Sequence, residues 1–269
     1  MAIGTNLEPR QKICKHGRQE TALTNWQQIY TRRFYSTKPG WRNGTREFWE
    51  FIVLHAAGSQ RVLEVGPGPA NRTTAFLADT FDAVDGLDID PDAQTNPDLA
   101  HCYLYAGDRW PCDTASYDAI VSNYVLEHVA DPRAFVAEAR RVLKPGGMFL
   151  FRTPNLWHYT SLISRLTPHW FHKLIANRLR NLPVDARDPY PTYYRINSRG
   201  ALARFCDGAH WEQVECRMIE KQPSYGMSSR ILFLTFMAYE RAVNRVPFLG
   251  GCRANIFGAY RRRHERTLD

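Results

Sequence analysis

Cysteine is scarce in this chain and nowhere paired: six residues in 269, at positions 14, 102, 112, 206, 216 and 252, with no Cys-x-x-Cys and no histidines at zinc-ligand spacing. That pattern excludes a disulfide scaffold and a zinc knuckle, so a reduced, cytoplasmic compartment is expected, with most thiols serving as small buried hydrophobes. No apolar run reaches the roughly 18 residues of a membrane span, and the polar opening stretch Met1 to Arg10 lacks the apolar core of a signal peptide. Acids are the minority sign, 27 against 35 Lys and Arg, for a net charge of +8. This leaves anionic partners open: nucleic acid, phospholipid, or a phosphorylated or carboxylated small molecule. The basic residues are dispersed except at Arg32-Arg33 and Arg261 to His264, and no nucleic-acid-binding module accompanies them, so nucleic acid is not an expected partner. The length suits one α/β domain with additions.

What is present is most informative at Val62 to Gly68, Val-Leu-Glu-Val-Gly-Pro-Gly. A short apolar run ending in two close glycines describes a buried parallel strand feeding a ligand-binding turn, where a Cβ would collide with the ligand. A helix from about Thr73 to Phe81 would aim its free N–H groups at that ligand. A second strand, Ala83 to Asp90, places Asp88 twenty positions after Gly68, where a carboxylate can take both hydroxyls of a ribose. Strands at Cys102 to Ala106, Tyr117 to Ser122 and Phe149 to Arg152 follow, the last after a helix from Pro132 to Leu143 that ends at Lys144-Pro-Gly-Gly147. Alternation of strand and helix over this length reads as a doubly wound, Rossmann-like α/β sheet that binds ligands at the carboxyl ends of its strands.

Residues 60 to 155 resemble the class I S-adenosylmethionine-dependent methyltransferases. The resemblance rests on Glu64 two residues before the first glycine, an acid closing the second strand, Gly107-Asp108 after the third, and Leu143-Lys-Pro-Gly-Gly147 before the fifth. A nicotinamide dehydrogenase would want glycine or alanine where this chain has Asn71, while the methyltransferase pattern often has a third glycine where Ala70 stands. The resemblance implies a seven-stranded sheet, S-adenosyl-L-methionine as cofactor, and a closing antiparallel strand, for which Asn255 to Tyr260 is the candidate. It also implies roles. Glu64 would accept from the methionine ammonium, Gly66 and Gly68 would admit the backbone to the cofactor, Asp88 would bind the ribose diol and Asp108 the adenine amine. Ile89, Arg109 and Asn123 would complete this shell, and an N-terminal aromatic, Tyr30, would cover the methionine end.

Methyl transfer is an in-line displacement, and a base is needed only if the acceptor must lose a proton. His128 and Tyr124, just past the fourth strand, are the candidate catalytic residues; packing at a helix start is the competing role for His128. Some relatives bind a metal through Glu-x-x-Glu-His, but Tyr124 stands at the first glutamate position, so no metal is expected. Nor is there an Asn-Pro-Pro-Tyr stretch, as in many amino-methylating relatives. The expected activity is methylation, at oxygen rather than nitrogen, of a small-molecule, glycan or lipid-like metabolite, as in secondary metabolism. An N-methyltransferase and a non-catalytic cofactor-binding or peripheral membrane scaffold are the alternatives.

Around this core (58–155) the chain divides into an N-terminal helical cap (1–57), an inserted substrate lid (156–195) and a segment completing the sheet with a C-terminal helix and basic tail (196–269). Helices are expected at Thr24 to Tyr30, Thr45 to Ala57, from Ser198 through Cys206, and at Ile231 to Arg245, with a strand at Glu212 to Glu220. The lid is rich in aromatic and basic residues. His158, Tyr159, Tyr193, Tyr194 and Arg195 are the candidate acceptor contacts, with Arg165, Arg178 and Arg180 as further cations for an anionic acceptor. Ile231, Leu234 and Ala238 beside Arg241 and Arg245 would serve either an ordinary core helix or a weak peripheral membrane contact.

Overall fold

Each element of the core starts where its local chemistry sets it. Asn71 caps helix α3 (Arg72–Thr80), its side chain accepting from the backbone N–H groups of Thr73 and Thr74 at 2.7 and 3.0 Å. Asp131 caps α4 (Pro132–Val142) in the same way, with proline at the first position, where its missing N–H costs nothing. Asn43 caps α2 (Gly44–His55), and Ser198 caps α6 (Arg199–Phe205). The computed structural model describes residues 25–106, 109–166, 190–223 and 227–264.

Seven strands form one sheet in the order β3-β2-β1-β4-β5-β7-β6. They are β1 (Arg61–Val65), β2 (Ala83–Asp88), β3 (His101–Leu104), β4 (Tyr117–Asn123), β5 (Leu143–Pro154), β6 (Trp211–Ile219) and β7 (Asn255–Arg262). The first five pair in parallel; β7 runs antiparallel between β5 and β6. This is the expected Rossmann-like α/β sheet, and the last strand in sequence is the expected antiparallel one. Several strand boundaries shift by one or two residues, and one differs by more. The fifth strand begins at Leu143, because α4 runs directly into it and Leu143 pairs with Tyr117; Lys144 to Gly147 then bulge out of register before pairing resumes between Met148 and Ala119. Gly147 makes this close approach workable, since a Cβ there would lie 2.9 Å from the Asp118 carbonyl.

Alternation along the strands divides the core between two faces. On one, Leu63, Ile120, Phe149 and Tyr260 pack against Val136 and Ala139 of α4 and Leu202 of α6. On the other, Val62, Val84, Leu150 and Phe257 pack against Phe48, Phe51 and Ile52 of α2 and Leu77 of α3. Phe149 is fully buried, so Phe149→Ala would cost about 3–5 kcal/mol.

Outside the sheet, α1 (Asn25–Thr31) and the π-helical turn Arg32–Ser36 pack on α7 (Arg230–Arg245). Phe233 of α7 is fully buried, with the rings of Trp26, Tyr30 and Tyr35 at 6.3, 5.6 and 6.3 Å. The opposite face of α7 is open, with Ile231 76% and Leu234 40% exposed. Helix α5 (Tyr159–Leu166) follows β5. None of the described helices is long and apolar enough to cross a membrane.

Candidate functional site

The carboxyl ends of β1, β2, β4 and β5 lie side by side, and most of the residues singled out in the sequence gather there. Gly66 and Gly68 both adopt left-handed φ, +74° and +64°, but for different reasons. A Cβ on Gly66 would lie 2.4 Å from Val125 Cγ2, so this glycine lets the turn pack against the β4 loop; around Gly68 the space is open. Close approach of a ligand to the backbone is therefore available at Gly68. The turn is braced from both sides, with the Asn71 side chain donating to the Pro67 carbonyl and to Thr74 Oγ1, and Asn96 donating to the Gly68 carbonyl.

Asp88 ends β2 with both carboxylate oxygens engaged, Oδ2 accepting from Gly68 N–H at 2.8 Å and Oδ1 from Asp90 N–H at 2.9 Å. Each oxygen keeps a second lone pair, which suits a diol presented from above. Glu64 is 1% exposed, and among the described residues its Oε2 has no hydrogen-bond partner. Burial pushes its carboxyl up to about 7, against the opposing pull of Thr74 and Asn71. A buried acceptor with an open valence at the end of β1 fits a cationic donor such as the methionine ammonium. Ile89 is 58% exposed and Arg109 is exposed, while Asp108 lies outside the described residues.

At the end of β4, Asn123 donates to Thr73 Oγ1 and accepts from Arg152 Nε at 2.8 Å. Tyr124 follows with φ +59°, its ring under the Arg152 guanidinium at 4.5 Å and its hydroxyl donating to Asn255 Oδ1. Tyr194 is also left-handed, at φ +51°. Non-glycine residues in this region carry strain that surrounding contacts must hold, and such strain concentrates at functional sites.

Residues 190–195 cross this edge. Tyr190 donates its hydroxyl to Asp90 Oδ2, the Pro191 carbonyl meets His128 Nδ1 at 2.9 Å, and the N–H groups of Tyr193 and Tyr194 donate to the Glu127 carbonyl. Arg195 donates to the Ala130 carbonyl and lies over the Tyr193 ring. A carbonyl only accepts, so His128 carries its proton on Nδ1 when neutral, and Nε2 is the acceptor.

Tyr30 lies within the aromatic cluster of Trp26, Phe34 and Phe233. His158 and Tyr159 pack under α7, Tyr159 stacked on Phe236 at 5.0 Å. His158 Nε2 lies 3.5 Å from Glu220 Oε2. Burial pushes the imidazole down to about 4 and the Glu220 carboxyl up to about 8. Burial thus works against charge on both partners of this contact. Arg165 has no described side chain, and Arg178 and Arg180 lie outside the described residues.

Sequence reasoning missed the bracing amides Asn71 and Asn96, the Thr73 hydroxyl that joins Trp49 and Asn123, and two buried ionisable groups at the strand ends. Glu127 is 5% exposed, pushed up to about 7 by burial, and accepts from Thr153 Oγ1. For Arg152, also 5% exposed, the available signal is its position, a guanidinium directly after the apolar run Met148-Phe-Leu-Phe151 within the strand.

An α/β sheet of this order, with an acid after strand two and an orphaned carboxylate beside a glycine turn, defines the S-adenosylmethionine-dependent methyltransferase class. Residues 30–204, well over half the chain, match the methyltransferase-domain family, and the chain belongs to it. A protein of Mycolicibacterium smegmatis named as an S-adenosylmethionine-dependent methyltransferase is 36% identical over 110 residues, covering 38% of this chain and 41% of that protein. The ubiquinone biosynthesis O-methyltransferase of Idiomarina loihiensis is 31% identical over 119 residues, covering 39% and 47% respectively. The chain thus spans under half the length of these curated relatives. Among solved structures, the geranyl diphosphate C-methyltransferase of Streptomyces coelicolor superposes with a TM-score of 0.54 at 14% identity, over 81% of this chain and 78% of that one, a likeness of fold.

Proposed function

We propose that the protein is an enzyme that transfers a methyl group from S-adenosylmethionine to a hydroxyl oxygen of a small-molecule, glycan or lipid-like acceptor. The cofactor, when bound, supplies an electrophilic methyl on a sulfonium. Glu64 receives its ammonium, Asp88 its ribose hydroxyls, and the open backbone at Gly68 its close approach, with Ile89, Arg109 and Asn123 around it. The observation that carries the oxygen assignment is His128, whose Nδ1 is committed to the Pro191 carbonyl. Its Nε2 is left to take the proton that a hydroxyl must lose as it attacks. Tyr124 beside it lines the acceptor side, and Tyr193, Tyr194 and Arg195 flank it; His158 and Tyr159 sit deeper, under α7. The relative from Idiomarina, named as an O-methyltransferase, supports the same reading.

The test is a panel of hydroxyl and amine acceptors assayed by S-adenosylhomocysteine release, with wild type and His128→Ala. Turnover should favour hydroxyls and fall roughly 10²- to 10⁴-fold in the variant, with S-adenosylhomocysteine affinity unchanged by calorimetry. Full activity of the variant would restrict His128 to packing, and turnover of amines alone would replace oxygen with nitrogen.

A further inference from the structure

We infer that residues 190–195 form a strap that closes over the cofactor and, by closing, sets the tautomer of His128, with Tyr190 as the positioning residue. The inference rests on the reading of His128 as proton acceptor and adds a device that couples it to the cofactor site. The strap has two anchorages. At one, the Tyr190 hydroxyl donates to Asp90 Oδ2 at 3.1 Å, just beyond the end of β2. At the other, Pro191 meets His128 at 2.9 Å, and the N–H groups of Tyr193 and Tyr194 reach the Glu127 carbonyl at 2.7 and 3.2 Å, beyond the end of β4.

In the sheet, β1 lies between β2 and β4. The anchors lie in the loops that follow β2 and β4, the two strands that flank β1, so the strap bridges the loops on either side of β1 and its glycine turn. The Asp90 anchor is itself tied to the ribose carboxylate, since Asp90 N–H donates to Asp88 Oδ1 at 2.9 Å. Whatever holds Asp88 in place also holds the seat of the Tyr190 hydroxyl.

Proline suits the second anchor. Its ring fixes its own φ and restricts Tyr190 to extended backbone, which narrows the path by which the chain enters this anchor. Because that carbonyl accepts only, His128 Nδ1 must be the donor while the strap is closed, and Nε2 faces the acceptor unprotonated. With the strap released, imidazole is free to take either neutral tautomer. Tyr190 is 47% exposed, so its hydrogen bond to Asp90 can exchange with water, as a latch that opens for cofactor entry requires.

Tyr190→Phe removes the hydroxyl and keeps the ring, whose centroid lies 6.1 Å from the imidazole. Two readouts test it: the dissociation rate of S-adenosylhomocysteine by stopped flow, and the ¹⁵N signature of the His128 ring by NMR, assigned with His128→Gln. Wild type should show the Nδ1–H form. Tyr190→Phe should release S-adenosylhomocysteine roughly five- to tenfold faster and show mixed tautomers. Tyr239→Phe, which removes a hydroxyl bonded to the Cys252 carbonyl, should change neither. An Nδ1–H signature unchanged in Tyr190→Phe overturns the inference, even if release is faster. The tautomer is measurable without ligand, so wild type failing to bind S-adenosylhomocysteine would refute the cofactor reading and leave this test standing.

Discussion

At the ends of β1 and β2 the hydrogen bonds join near neighbours in sequence: Asp88 to Gly68 across 20 residues, Asn96 to Gly68 across 28. At the ends of β4 and β5 they join distant ones as well: His128 to Pro191 across 63 residues, Tyr124 to Asn255 across 131, and, under α7, Tyr35 to Glu240 across 205. The cofactor side is therefore assembled from one strand-turn-helix-strand segment that carries its own bracing. The proposed acceptor side, by contrast, depends on contacts between segments far apart in the chain. Acceptor choice can change through substitutions in that second shell of elements while the cofactor turn stays intact.

The largest expected effect tests the self-sufficiency of the first side. Asp88→Ala removes the carboxylate proposed for the ribose and frees the N–H groups of Gly68 and Asp90. Affinity for S-adenosylhomocysteine should fall by about 3 kcal/mol or more, roughly 150-fold, by calorimetry, because charge-assisted bonds are lost together with the turn they hold. Unchanged affinity would remove Asp88 from the cofactor site.

An intermediate effect separates the two sides by pH. Burial pushes Glu64 up to about 7 and Glu220 up to about 8. Unfolded carboxyls titrate near 4.3, so over this interval the folded protein holds more protons than the unfolded chain, and stability falls as pH rises from about 4.5 to about 8. S-adenosylhomocysteine should relieve the Glu64 share by bringing it an ammonium. Glu220→Gln should relieve the other share, on the order of 2 kcal/mol at pH 8. Melting temperatures from pH 5 to 9 decide this: a slope unaffected by Glu220→Gln would show that the buried acid beside His158 carries no such penalty.

The smallest effect is expected on cofactor affinity when the acceptor side is altered. Replacing Tyr193 and Tyr194 with alanine should raise the acceptor Michaelis constant and leave S-adenosylmethionine affinity within about threefold, under 1 kcal/mol. Their backbone N–H bonds to Glu127 survive the substitution, which keeps the strap anchored. Normal acceptor kinetics would remove these rings from the acceptor site.

The same contrast explains what the sequence revealed. Glu64, Gly66, Gly68 and Asp88 could be placed because strand period, glycine turn and carboxylate spacing are local signals, and Asn255 onward could be assigned as the antiparallel strand. The start of β5 was hidden because Pro145, Gly146 and Gly147 carry a turn signal and do form an irregularity, but it lies inside the strand, after Leu143 has already paired with Tyr117. The environments of Tyr30 and His158 were not legible either: one depends on Phe233 and the other on Glu220, and nothing in a linear pattern records which helix will cover a ring. Arg152 went unmarked as a charge closing an apolar run, and its seat between Asn123 and Tyr124 at the end of β4 and Phe48 of α2 is set by tertiary contacts.

The position of β7 carries a consequence for synthesis on the ribosome. This strand separates β5 from β6, so after Pro154 is made more than a hundred residues must emerge before either neighbour finds its partner. Until then β5 presents the bare edge of a parallel sheet, with Phe149 and Phe151 beside it, and β6 has nothing to pair with. The nascent chain is most exposed to wrong association during that interval, and completion of the fold waits on its slowest, most non-local pairing.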